Sequence, residues 1–224
     1  MQWNELMSGT PGIHVDILNN AQREVIAHLG KALAHTDFYL AGGTAAALQL
    51  GHRSSMDLDW FIDKLGDPEI LFSRLTSCNI TFEIQSVSPE TVYLIINTVE
   101  ASFMGYNYPL IQPKVFWAEY GIQLAGLDDI ACMKLSAIAL RGSRKDFVDL
   151  HYLITHARPL EDYLQLYVKK YKNRDIGHVI RSLVYFVDAE QEPALKMIKP
   201  VIWQDLKSDF EKWVKDLTSF YPRR

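Results

Sequence analysis

The chain has 224 residues, 48% of them hydrophobic, with a formal net charge of −4. That is ample apolar material for one domain or two small ones, and the mildly acidic balance excludes a global pull toward nucleic acid, leaving any such contact to a local basic patch. Two cysteines (Cys78 and Cys132) and seven scattered histidines exclude a disulfide framework or a Cys/His zinc site; with no leader-like start and no apolar run of ~18 residues, a soluble, cytoplasmic protein without membrane contact is expected.

Residues 1–18 mix Gly, Pro and scattered apolar residues and read as a lead-in. Asn19 or Asn20 opens a helix through about His35, with Ile26, Leu29 and Leu33 on one stripe. His28 and His35 share that helix without a third ligand nearby and read as surface or packing residues. Phe38-Tyr39-Leu40-Ala41 reads as a buried strand. Gly42-Gly43 allows a tight turn and close approach to a ligand. Thr44 is the expected N-cap of a helix over Ala45 to Leu50, and Gly51 its stop. After the basic turn His52-Arg53-Ser54-Ser55, Met56 to Phe61 alternates apolar and acidic residues as a strand does. Alternation puts Asp57 and Asp59 on one face, ~7 Å apart. Carboxylates that close repel unless a proton or cation lies between them. A hard divalent cation held by one or two carboxylates plus substrate phosphates resolves the repulsion. The Gly-Gly turn at a helix start offers N–H groups and a positive dipole end to phosphate. Alone, Gly-Gly-Thr is commonly a turn and Asp-x-Asp a solvated strand face. In the order strand, Gly-Gly-Thr, helix, Asp-x-Asp strand, they point to nucleotide chemistry.

Gly42-Gly43-Thr44, Gly51-His52-Arg53-Ser54-Ser55 and Asp57-Leu58-Asp59-Trp60-Phe61 resemble the signature of the AbiEii/AbiGii-toxin-like nucleotidyltransferases, within the polymerase-beta-type superfamily. Leu127 to Leu153, LDDIACMKLSAIALRGSRKDFVDLHYL, resembles the family's second motif block. The chain beyond it matches no motif. The resemblance implies that Asp57 and Asp59 hold Mg2+ or Mn2+ and that Gly42, Gly43 and Thr44 grip an NTP. Arg53 or Ser55 would position phosphate or buttress the turn, unless Arg53 pairs with an aspartate of the same strand. Lys134 would approach the nucleotide, with Lys145, Asp146 and Asp149 at the far edge of the site.

Downstream, Asp67-Pro68-Glu69 starts a helix to about Ser77. Thr81 to Val87, Val92 to Asn97 and Val99 to Gly105 read as an antiparallel meander. Related sequences tend to carry a third acid in a neighbouring strand, where this chain has Ser102. Glu100 shares a face with Ser102 and is the candidate substitute and third metal ligand. Otherwise the site works with two carboxylates or lacks activity, and Glu100 is an ordinary exposed strand residue. Pro113 to Gly126 reads as a linker with short structured pieces. Asp128 or Asp129 begins a helix through about Arg141. Gly142-Ser143 breaks it, and Arg144 to about Thr155 forms a second helix carrying Lys145, Asp146 and Asp149. Lys134, inside the apolar run Ile130 to Leu135, needs an anionic partner. A nucleotide phosphate is favoured over a structural network with Asp146 and Asp149. From Leu160 on, three or so amphipathic helices are expected. Leu160, Tyr163, Leu164 and Tyr167 mark one stripe, and Val179, Leu183 and Phe186 another. Leu206, Phe210, Trp213 and Leu217 mark the last. The basic cluster Lys169 to Arg174 reads as a solvated helix end or an RNA contact.

The expected architecture is α+β. A nucleotidyltransferase-type mixed sheet flanked by helices occupies residues 1–125, and a helical region, residues 126–224, completes the nucleotide cleft. The expected activity is metal-dependent transfer of NMP from an NTP to an RNA (tRNA) or protein acceptor. By resemblance the setting is the toxin half of a bacterial toxin–antitoxin or abortive-infection system with a cognate antitoxin. The alternatives are a small-molecule, antibiotic-type nucleotidyltransferase and a degenerate nucleotide-binding module.

Overall fold

The computed structural model describes residues 12–220. Their chain divides into two compact units. The first comprises residues 12–51, Ser55–Asn107 and Pro113–Ala125; the second comprises His52–Ser54, Tyr108–Gln112 and residues 126–220. The lead-in expected over residues 1–18 lies outside the described residues up to position 11, and its remainder includes a single 3-10 turn, Val15–Ile17.

The first unit is built on seven strands: β1 (Tyr39–Ala41), β2 (Leu58–Ile62), β3 (Glu83–Ser88), β4 (Thr91–Ile96), β5 (Val99–Gly105), β6 (Val115–Trp117) and β7 (Ile122–Leu124). They form one mixed sheet in the order β3-β4-β5-β2-β1-β7-β6. The expected meander is present as antiparallel β3, β4 and β5. Strand β2 runs antiparallel to β1 and parallel to β5, and this places Asp59 opposite both Ala41 and Ser102. The stretch read as a linker instead contributes the β6–β7 hairpin, with β7 parallel to β1. Strands of three residues are too short to show an alternation.

Helix α1 (Asn20–Ala32) starts with a capping box. The Asn19 side chain accepts from the Gln22 amide, and the Gln22 side chain accepts from the Asn19 amide. The helix is shorter than expected, since His35 adopts a left-handed φ of 62° beyond its end. Helix α3 (Pro68–Ser77) begins as expected, with Asp67 capping Glu69 and proline in the first turn. Helix α2 (Gly42–Leu50) corrects the assignment of Thr44 as a cap. The helix already begins at Gly42, whose φ of 64° turns the chain straight out of β1 without a capping side chain. Gly51, at φ 61°, ends it as expected.

The second unit is helical: α4 (Leu127–Arg141), α5 (Arg144–His156), α6 (Leu160–Tyr171), α7 (Gly177–Ser182), α8 (Val187–Gln191) and α9 (Trp203–Phe220). Acidic Asp128 and Asp129 sit in the first turn of α4, where the helix dipole favours them, and Gly142 closes it in the left-handed conformation. The expected apolar stripes form the core. Leu160, Tyr163, Leu164, Tyr167, Val179, Leu183, Leu206 and Phe210 are all buried. Phe147 of α5 meets Phe186 and Phe210 with ring centroids 5.0 and 5.5 Å away. The chain is therefore α+β, and no helix among the described residues is long and apolar enough to cross a membrane.

Candidate functional site

In the first unit, the register of β1 and β2 brings the Asp59 carboxylate beside the first turn of α2. A Cβ on Gly42 would collide with Asp59 Oδ2. Glycine is thus required twice there, once for the left-handed φ and once for the space. The other oxygen, Asp59 Oδ1, accepts a 2.6 Å hydrogen bond from the buried Ser102 hydroxyl on β5. Asp57 lies one residue before β2, and its backbone is held from both sides. The buried Thr44 hydroxyl donates to the Asp57 carbonyl oxygen. Gln22 Nε2 donates to the carbonyls of Ser55 and Met56 at 2.8 and 3.0 Å. Gln22 was not singled out from sequence; its only signal there is its place three residues after Asn19, which marks it as a cap.

Asp57, Asp59, Gly42 and Gly43 are all half-buried, so the carboxylates and the helix start are reachable from solvent. Glu100 is exposed on β5, and the structure does not bring it to this pair. Among the described residues no three His, Cys, Asp or Glu side chains are placed to hold a metal ion. Across the strands Ser102, and not Glu100, is the partner of Asp59. Two hard carboxylates, one steered by a hydroxyl and wedged against a glycine, still fit Mg2+ or Mn2+. Such an ion is held through one or two carboxylates and completes its shell with water and substrate phosphate.

In the second unit, Asp149 of α5 gathers the other predicted residues. Its Oδ1 accepts from His52 Nε2 at 2.7 Å and Arg53 Nε at 2.6 Å; its Oδ2 accepts from the second Arg53 nitrogen at 2.8 Å. Lys134 Nζ lies 2.7 Å from Asp149 Oδ2 and 2.8 Å from Asp146 Oδ1. Arg141, seven residues after Lys134 on the same helix, donates twice to Asp146. Arg53 therefore pairs with Asp149, far along the chain on α5. Burial alone would push both carboxyls up. The charge of Lys134 overrides it, with Arg53 and His52 at Asp149 and Arg141 at Asp146, and holds Asp146 below and Asp149 well below the usual carboxylate range. Burial would lower the Lys134 ammonium, but its two carboxylates raise it. For His52 burial wins over the Asp149 hydrogen bond and lowers its pKa. The ring is therefore neutral near pH 7, and its Nδ1 has no hydrogen-bond partner among the described residues. The same turn is tied by its backbone: Ser54 N donates to Lys196 O, and the amides of Ile198 and Lys199 to His52 O. Lys145 is half-buried beside Asp146 on α5, and Ser55 is buried.

The basic cluster at the end of α6 is the solvated helix end expected, except at Lys170. Lys170 is buried, and its ammonium donates to Asp129 Oδ1 at 2.7 Å and to the Pro109 carbonyl at 2.9 Å. Asp129 also accepts the amides of Ile111 and Gln112. Lys170 therefore serves to anchor Tyr108–Gln112, and only Lys169, Lys172 and Arg174 of the cluster's cations face solvent.

This mixed sheet with Asp59 under a glycine-led helix is the fold of nucleotidyltransferases. JHP933 from Helicobacter pylori shares it with a TM-score of 0.58 at 20% identity, over 92% of this chain and 94% of that one. MenT4, a nucleotidyltransferase toxin from Mycobacterium tuberculosis, shares it with a TM-score of 0.56 at 17% identity, over 87% and 82%. The family model described as "Nucleotidyl transferase AbiEii toxin, Type IV TA system" matches residues 80–223. An uncharacterized protein of Aquifex aeolicus is 37% identical over 205 residues, covering 89% of this chain and 97% of that protein. The chain belongs to the AbiEii nucleotidyltransferase toxin family. The matched stretch contains Ser102, Lys134, Asp146 and Asp149, whereas Gly42, Asp57 and Asp59 precede it. The Gly42–Asp59 geometry is thus evidence independent of that match.

Proposed function

We propose that this protein transfers a nucleoside monophosphate from an NTP to a hydroxyl of an RNA acceptor, tRNA in particular, as the toxin partner of a cognate antitoxin in the cytoplasm. The observation that carries the reading is the contact of the Asp59 carboxylate with the glycine start of α2. It puts a metal-binding carboxylate beside a helix N-terminus suited to phosphate. In this reading Asp57 and Asp59 hold Mg2+ or Mn2+, and the backbone amides at Gly42 and Gly43 receive phosphate oxygens. The cation, when bound, neutralises the phosphates and the departing pyrophosphate. The acceptor oxygen forms its bond to the α-phosphorus as the bond to the pyrophosphate oxygen breaks. Thr44 and Gln22 hold the backbone of Asp57 and the residues before it. Lys134, expected to touch phosphate, is assigned here to a positioning role with Asp146, Asp149 and Arg53. Its ammonium already satisfies two buried carboxylates.

A second reading, a nucleotide-binding module without turnover, is favoured by one observation: serine stands where a third acid is expected beside Asp59. One experiment separates the two. The protein is incubated with each labelled NTP, Mg2+ and total tRNA, beside Asp57→Ala and Asp59→Ala. Label in RNA with the native protein alone is the expected result. Label on protein or on a small hydroxylated compound would replace the acceptor, and NTP binding with no product would leave the second reading standing.

A further inference from the structure

We propose that Ser102 is the positioning residue of Asp59, taking the place of a third carboxylate, and that it thereby makes cation binding depend on bound triphosphate. The inference rests on the nucleotidyl-transfer reading above. The parallel register of β2 and β5 sets Asp59 directly across from Ser102. Residues paired across a sheet point to the same face, and the serine hydroxyl donates to Asp59 Oδ1 at 2.6 Å. The donor is buried, so it does not wander into solvent. With Oδ1 engaged and Oδ2 against Gly42, the carboxylate is held in one orientation.

The hydroxyl adds direction where an acid would add charge. A third carboxylate would raise the local charge from two negatives to three and hold a divalent ion without help. Two carboxylates leave most of the coordination shell to water, and Mg2+ in such sites relies on substrate phosphates for further ligands. Glu100 does not restore the missing charge, since it stands exposed and outside any three-ligand group among the described residues. The cation therefore arrives with the triphosphate, and free protein binds it weakly.

The full-length protein tests this with two readouts that do not need turnover. One is Mn2+ binding to the protein alone, followed by electron paramagnetic resonance. The other is the gain in affinity that Mn2+ confers on a triphosphate analogue with a carbon bridge between the α- and β-phosphorus. The wild type should bind Mn2+ weakly alone and show a clear gain for at least one of the four analogues. Ser102→Ala should reduce that gain roughly tenfold, the scale of one hydrogen bond to a charged group, and Ser102→Thr, which keeps the hydroxyl, should restore it. Ser102→Asp should bind Mn2+ alone at least about tenfold more tightly than wild type, because two facing carboxylates favour a cation between them. Thermal unfolding checks that each variant is folded. An unchanged gain in Ser102→Ala would overturn the inference while leaving nucleotidyl transfer intact. So would tight Mn2+ binding by the free wild type that is lost in Glu100→Gln. Absence of any Mn2+-dependent gain in the wild type would instead bring down the nucleotidyl-transfer reading, and this inference with it.

Discussion

Gly42 carries two constraints that most positions never meet together. Its backbone is left-handed, and the space where a side chain would start is filled by Asp59. Alanine there pays the strain of an unfavourable φ, about 1–3 kcal/mol. It also displaces the carboxylate that the proposed chemistry uses, and a shift of about 1 Å at a reacting centre can cost on the order of a hundredfold in rate. Gly42→Ala should therefore lower label transfer by about two orders of magnitude while the protein stays folded in denaturant titrations. Gly66 provides the control. It is also left-handed, at φ 72°, but nothing lies within 4 Å of its would-be Cβ. Gly66→Ala should show the stability loss without the loss of transfer. Equal transfer by the two variants would mean that Asp59 is not held by the glycine.

At the scale of elements, α4 and α5 are locked to the His52–Ser54 turn by the ion network, and that lock should be visible in stability against pH. Asp149 and Asp146 are depressed in the folded state. Their contribution is thus complete above the unfolded carboxyl value of 3.8 and is lost as pH falls through their lower folded values. His52 acts earlier. Its folded pKa is below 6.5, so the unfolded chain takes up a proton that the folded chain refuses, and stability begins to fall below about pH 6.5. The groups facing the ring are Asp149, Arg53 and Lys134, with the Tyr152 ring 4.7 Å away. Denaturant titrations from pH 7 to 5 should show a slope of at most about 1.4 kcal/mol per pH unit from this one proton. The difference between wild type and His52→Gln should carry that slope; parallel curves would mean that His52 takes up its proton alike in the folded and the unfolded chain. The helices themselves were legible in the sequence, since α3, α4 and α5 announce their ends with Asp67-Pro68, Gly142 and apolar periodicity. The partner of Arg53 was not, because Asp149 is 96 residues away and no local pattern encodes it. Lys170 was misread for the same reason: its neighbours are basic, but its carboxylate lies in α4. The approach of Asp59 to Gly42 was legible because both lie within one strand-helix-strand stretch. The helix start was placed three residues late, with Thr44 as cap where the structure has Ala41, because a left-handed glycine can open a helix unaided.

The whole chain does not divide into two consecutive pieces. His52–Ser54 and Tyr108–Gln112 are surrounded in sequence by residues of the first unit but belong to the second. Both segments satisfy buried charge in the helical region. Arg53 and His52 bind Asp149, while the amides of Ile111 and Gln112 and the carbonyl of Pro109 bind Asp129 and Lys170. The boundary expected at residues 125 and 126 would cut these partners away. Removing one side of a buried ion pair costs about 3–5 kcal/mol, against a total stability of roughly 5–15 kcal/mol for an ordinary domain. Residues 126–224 expressed alone should therefore fail to fold cooperatively. Circular dichroism should show no sharp thermal transition, and amide NMR resonances should be poorly dispersed. Adding the residue 1–125 fragment in trans should restore a transition, because it returns both segments to their carboxylates. If the helical fragment folds alone with a sharp transition, Asp149 and Asp129 do not depend on those segments, and the positioning role given to Arg53 and Lys134 fails with them.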